Sequence, residues 1–293
     1  MFTLPKSDPT DAIKLADWIE LNALISPDLN YSRGDLERAL NAAALKELPN
    51  NESIESKCVE VFSELSDRAF FASDGYPFEL TSPSLLQAKD DYLKYTPYVF
   101  CLCLSYFGWS AQDNPAKMFE RIAGIAAKEY IGGYLLEFGA PRSGSPVPKG
   151  FADAVKYLCK MLKEGDSISD SPLEDEKDDG IDIVAWKPFV DGLPGKLVLF
   201  GQCATGENWD TKLSEMQPQS FCKKWMRKPL ESEPIRSFFM PHRLNRRSWS
   251  KATHDAGIIF ERCRIAFWAQ KEASPSIDFA PVSAWIQAKL ISM

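Results

Sequence analysis

Histidine is nearly absent from this sequence. His242 and His254 are the only two among 293 residues, which argues against histidine-rich zinc sites and against a Ser-His or Cys-His nucleophilic arrangement. No GxSxG nucleophile elbow and no GxxxxGK[ST] phosphate loop occurs, so neither an α/β-hydrolase serine nor a Walker-type nucleotide cradle is expected. CxxC pairs are also missing. The seven cysteines are scattered, and the only close pair, Cys101 and Cys103, sits inside the apolar run Tyr98 to Phe107. They read as reduced, mostly buried residues of a cytosolic protein.

Long hydrophobic runs are lacking too. The longest, Tyr98 to Trp109, is too short to span a bilayer. Met1 to Asp11 has no basic segment followed by an apolar one, so no signal peptide is expected there and the protein is placed in the cytoplasm, away from membranes. Positive charge is in deficit: 34 Lys and Arg stand against 41 Asp and Glu, a net charge of −7. That sum counts against a simple nucleic-acid binder, but its distribution is uneven. Acid gathers in Glu164 to Asp182. Base gathers in two segments, Lys223, Lys224, Arg227, Lys228 and then His242, Arg243, Arg246, Arg247.

What is present is an ordinary globular composition, 45% hydrophobic and 26% charged, able to build a sizeable core. Helical periodicity runs over Asp11 to Leu24, with Asp8 or Thr10 as N-cap, then from Ser32 to about Leu48, and over Glu52 to Ala72. Tyr76 to Ser82 reads as extended and Ser84 to Phe107 as one or two buried helices. Asn114 and Pro115 read as N-cap and N1 of a helix over Ala116 to Tyr130, closed by Gly132 and Gly133. A proline-rich loop and a helix over Phe151 to Lys163 follow.

Beyond the acidic stretch the period changes. Ile181 to Trp186 and Lys196 to Ala204 read as two strands around a turn at Val190 to Gly195. A helix is expected from Trp209, strands over Ser237 to Arg243 and Gly257 to Trp268, a helix between them from Arg247 to Asp255, and a closing helix over Ala280 to Leu290. The expected architecture is α/β: a helical N-terminal region (1–110) followed by a mixed sheet flanked by helices (111–293).

Chemistry concentrates at the open end of that hairpin. Counting outward from Gly192 brings Asp182 and Gln202 level, and strand alternation puts them on matching faces. A carboxylate and an amide oxygen, with the Cys203 carbonyl next to them, are donors that magnesium accepts. Glu120 lies close to the packing face of the preceding helix and adds a second acid.

Asp179-Gly-Ile-Asp182-Ile-Val-Ala185 followed by Val198-Leu-Phe-Gly-Gln202-Cys-Ala204 resembles the β-hairpin of the PD-(D/E)XK (restriction-endonuclease-like) nucleases, in the variant with Gln for the second acid. The order of acid-bearing helix, hairpin, helix and further strand agrees over roughly 115–268. The resemblance implies a restriction-endonuclease-like sheet, Mg²⁺ or Mn²⁺ held by Glu120, Asp182, Gln202 and the Cys203 carbonyl, and phosphodiester hydrolysis of DNA in a bacterial defence or restriction setting. One departure stands out. Ala204 occupies the family's lysine position, and Lys212 in the following helix is the expected substitute. Lys223, Lys224, Arg227, Lys228, Arg243, Arg246 and Arg247 would clasp phosphates, and the N-terminal region would meet a protein partner or the DNA. The alternative that Ala204 supports is a degenerate nuclease fold acting as a binding or scaffolding subunit.

Overall fold

A computed structural model describes the chain apart from residues 1, 6–7, 9, 44–52, 109–114, 143–144, 170–176, 273–277 and 292–293. The expected N-cap Asn114, the end of the second helix near Leu48 and Glu174 to Glu176 of the acidic run therefore fall outside the described residues.

The first helix, α1 (Ala12–Ile25), is capped by Asp11, whose side chain accepts from the Lys14 N–H; neither Asp8 nor Thr10 serves. After β1 (Asn30–Ser32), a capping box between Ser32 and Asp35 starts α2 (Arg33–Ala42). α3 (Ile54–Ala72) ends in a 3-10 turn at Ser73–Gly75. β2 (Phe78–Ser82) lies in the stretch expected to be extended, but β3 (Leu85–Ala88) falls where a buried helix was expected; both join β1 in a three-stranded antiparallel sheet, and α4 begins only at Thr96 (Thr96–Phe107). Leu85 and Leu86 are apolar enough for either structure, and pairing of β3 with both β1 and β2 decides for a strand.

α5 (Pro115–Ile131) leads into β4 (Tyr134–Glu137), a four-residue strand with no alternation signal in sequence. α6 (Phe151–Leu162), β5 (Ile183–Lys187), β6 (Leu197–Cys203), α7 (Pro218–Trp225), β7 (Ile235–Phe239), α8 (Arg246–Ala256), β8 (Ile258–Phe260), α9 (Arg262–Ala269) and α10 (Ala280–Ile291) complete the chain. The second sheet runs β4-β5-β6-β7-β8, antiparallel through β6 and parallel from β6 to β8.

Two expected elements change type. The helix after β6 is a 3-10 turn at Trp209–Lys212, and the true helix is α7. The expected strand from Gly257 stops at Phe260, because Glu261 accepts from the Cys263 and Arg264 N–H groups and starts α9.

The two faces of the five-stranded sheet carry different cores. Ile183, Ala185 and Leu199 face α5 and the N-terminal helices in one large cluster. Val184, Trp186, Val198 and Phe200 face α6 and α7 in a second. The first cluster draws on residues from Phe2 to Leu290, so one continuous core crosses the expected boundary near residue 110.

Buried charge crosses it as well. Arg262 on α9 donates to Asp17 on α1 at 2.6 and 2.9 Å, and Arg68 on α3 donates to Asp17 at 2.6 Å and Glu20 at 2.8 Å. The Tyr76 and Tyr98 hydroxyls, each at 2.7 Å, supply Glu20 with two more donors. Despite the desolvation that opposes ionisation, the two guanidinium groups hold the Asp17 carboxyl well below its ordinary range.

Candidate metal centre

Glu120 reaches the sheet end because α5 packs closely. Phe119, Ile122, Ala123, Ala126 and Ala127 bury one face of α5 against Ile183, Ala185 and Leu199. At Gly124 a Cβ would come within 2.9 Å of the tip of the Leu135 side chain, so the glycine leaves room for that leucine of β4 against the helix. The Glu120 carboxylate is thus carried to the start of β5.

Asp182 stands one residue before β5 and is tied on three sides. Its N–H donates to the Gly201 carbonyl at 2.9 Å, and its carbonyl accepts from the N–H groups of Phe138 (2.8 Å) and Gly139 (2.9 Å). Its carboxylate Oδ2 accepts from the Cys203 N–H at 2.7 Å. Gly139 opens the space between the two acids: a Cβ there would lie 2.7 Å from Asp182 Oδ1 and 3.1 Å from Glu120 Oε2.

The electrostatics follow from burial. Burial first, then the neighbouring Glu120 carboxylate, raises the Asp182 carboxyl to about 8, against the opposing pull of the Cys203 N–H and Lys117. Burial raises Glu120 in the same direction. The cation beside them is Lys117, one helical turn before Glu120. Its ammonium donates to Glu120 Oε2 at 2.6 Å and to the Gly139 carbonyl at 3.1 Å. Lys117 was not among the residues the sequence singled out. Its i,i+3 spacing to Glu120 was the available signal. Burial and the two carboxylates also hold the Cys203 thiol far above its usual range, so no thiolate forms there.

Of the expected site residues, Glu120 and Asp182 are brought together, and Cys203 meets Asp182 through its N–H and not through the carbonyl that was expected. Gln202 does not join them. The backbone register is as expected, Ile183 opposite Gly201, which sets 182 and 202 level. Gln202, however, follows Val198 and Phe200 onto the α6–α7 face, where its amide donates to Glu215 at 3.0 Å. Asp182 leaves the alternation because its N–H goes to Gly201, outside the regular ladder, and its carboxylate turns to Cys203 and the α5 side. Lys212 ends the 3-10 turn, half-buried, and Lys117, not Lys212, is the cation acting on Asp182. Ala204 is buried in an apolar cluster with Phe238, Met240 and Ala252, a poor place for an ammonium.

The basic segments divide. On α7 and just after it, Lys224 lies 3.9 Å from Asp179 and Arg227 lies 3.8 Å from Asp166, so part of that charge is met by the acidic stretch; Lys223 and Lys228 are exposed. Arg243 is internal, held by Glu64 at 3.0 Å and Glu261 at 2.6 Å, and is not free to meet a phosphate. Arg246 and Arg247 are exposed.

No protein-family model, curated protein or solved structure matches this chain. The site therefore stands on its own geometry. Among the described residues no group of three His, Cys, Asp or Glu side chains could hold a metal ion. The Glu120–Asp182 pair is nevertheless suited to a hard divalent cation. It offers oxygen donors, a small space that a Cβ at Gly139 would fill, and like charges whose one counter-ion among the described residues is Lys117. Magnesium commonly takes one or two carboxylates and keeps several waters. No helix among the described residues is long and apolar enough to cross a membrane.

Proposed function

We propose that this chain is a metal-dependent nuclease of the PD-(D/E)XK type, hydrolysing DNA phosphodiesters with Mg²⁺ or Mn²⁺ at Glu120 and Asp182. The observation that carries this reading is the pair itself: two buried carboxylates flanking Gly139, at the point where β5 begins and β6 ends, with an ammonium 2.6 Å from one of them. The strand order β4-β5-β6-β7, with its switch from antiparallel to parallel pairing at β6, and the acid-bearing helix before it support the restriction-endonuclease-like assignment.

Glu120 and Asp182 would hold the ion, with the Cys203 carbonyl as the expected third oxygen. When bound, the ion supplies charge to polarise a phosphate oxygen and to acidify an attacking water. The chain's own groups orient the site. The Cys203 N–H fixes one Asp182 oxygen and leaves Oδ1 facing the open space at Gly139. Lys117 bridges Glu120 and the Gly139 carbonyl, and stands where it can meet the negative charge that grows on the reacting phosphate. In this reading Lys117, and not Lys212, does the work of the lysine missing at Ala204.

A second reading is favoured by one observation. Gln202 is committed to Glu215, which leaves fewer side-chain oxygens than the resemblance implies and fits a degenerate subunit that binds without cutting. Incubating supercoiled plasmid with the purified protein in Mg²⁺, Mn²⁺ or EDTA separates the two. Metal-dependent nicking abolished in Asp182→Ala supports the nuclease. Nicking retained in that variant removes the site, and no nicking by the parent in either metal leaves the scaffold reading.

A further inference from the structure

The start of α8 and the end of α3 enclose a notch of about 300 Å³ lined by Phe71, Arg243, Leu244, Arg246, Trp249, Glu261 and Arg264. Two aromatic faces each carry a guanidinium: Arg246 lies 5.0 Å from the Phe71 ring and Arg264 lies 4.4 Å from the Trp249 ring. Both arginines are exposed, while Phe71 and Trp249 are half-buried. Arg243 and Glu261 form the floor and neutralise each other, Arg246 touches Asp67 at 3.1 Å, and the Arg264 guanidinium donates to the Ile259 carbonyl at 2.8 Å.

We infer that this notch binds single-stranded nucleic acid: Arg246 and Arg264 swing off the Phe71 and Trp249 rings they now cover to meet the flanking phosphates, and one base takes their place against the aromatic faces. The inference deepens the nuclease reading and rests on it for the polymer's identity. Three observations favour this ligand. Stacking on an aromatic ring needs an exposed base face, which a duplex hides and a single strand offers. The chain is acidic overall, at −7, and the α7 lysine and arginine segment is partly met by Asp179 and Asp166; binding must then come from a local site, not from a broad positive stripe. An acidic peptide would use the arginines but gain little from two aromatic faces. The notch also lies toward the correct end of the molecule. Cys203 pairs with Phe239 at the ends of β6 and β7, and the chain enters the notch a few residues later, at Arg243. Phe71 comes from α3, so the N-terminal part of the chain supplies half of the contact.

The test is fluorescence anisotropy in EDTA with a labelled oligothymidylate of about 15 nucleotides, a duplex of equal length, and polyglutamate as competitor. The parent is expected to prefer the single strand. Arg246→Ala with Arg264→Ala should weaken binding at least tenfold and flatten the log K against log salt slope by about 1.4, two phosphate contacts at roughly 0.7 each. Trp249→Ala should weaken it on the order of tenfold, and Trp249→Phe should restore most of the loss. A double variant that binds like the parent, or polyglutamate that competes as well as the oligonucleotide, would overturn the notch. Because no metal is present, cleavage plays no part in this measurement. Tight single-strand binding by a protein that cuts in neither Mg²⁺ nor Mn²⁺ would sink the nuclease reading and leave the notch standing.

Discussion

The backbone N–H of Cys203 donates to Asp182 Oδ2 at 2.7 Å, linking the end of β6 to the residue before β5. This bond sets the direction of the carboxylate, holding Oδ2 and leaving Oδ1 toward Gly139 and Glu120. Asp182→Asn keeps the size and can still accept from Cys203, but loses the charge. The expected outcome is cleavage reduced by at least 10²-fold with the thermal midpoint within a few degrees of the parent. Plasmid nicking and a melting curve on the same sample check it, and a variant that cuts normally removes Asp182 from the site.

Lys117 and Lys212 make opposite predictions. Lys117→Met should lower the cleavage rate at least tenfold, since it removes the cation that donates to Glu120. Lys212→Ala should leave the rate within about twofold, because its 3-10 turn does not join the cluster. Single-turnover rates at saturating Mn²⁺ compare them directly. The reverse ranking would return the role to Lys212.

Gly139→Ala tests the space itself. A Cβ would stand 2.7 Å from Asp182 Oδ1, closer than real Cβ contacts come, so either the acid or the loop must shift. Mn²⁺ affinity measured by calorimetry should fall at least tenfold. Unchanged affinity would show that the ion, if bound, sits elsewhere.

His242 carries a pH prediction. Burial first, and the Arg262 guanidinium second, lower its pKa from the usual 6.5. A group depressed in the fold adds stability that is present above the unfolded value and lost as pH falls through the folded one. The parent should therefore lose stability relative to His242→Gln as pH drops from 7.5 to 5.5, with the gap in thermal midpoint closing or reversing in the variant's favour. A constant gap across that range would show the imidazole to be solvated.

The buried Asp17–Arg68–Glu20–Arg262 group makes a stability prediction. Arg68 is fully buried and serves three carboxylates, Asp17, Glu20 and Glu64, so Arg68→Met strands charge in the core. A loss of about 3–5 kcal/mol is expected from urea denaturation, as for breaking other buried ion pairs. A loss below 1 kcal/mol would mean that water reaches the acids.

The sequence by itself determined the local elements and the position of the hairpin. Helices α1, α3, α5, α6, α8 and α10 carry caps, breakers or an apolar stripe that stand in the order of residues, and the turn around Gly192 sets Asp182 level with Gln202 because a strand repeats every two residues. Short strands such as β4 and β3, and the end of β8 at Glu261, were decided by pairing and by a side-chain cap, neither of which leaves a periodic trace in four residues or fewer. Only the tertiary structure decided which acids meet. Asp182 turns out of the strand alternation toward α5, Gln202 turns to Glu215, and Lys117 arrives from a helix more than sixty residues earlier. Those choices depend on how closely α5 packs and on the missing Cβ at Gly139, distances between segments that the order of residues does not contain.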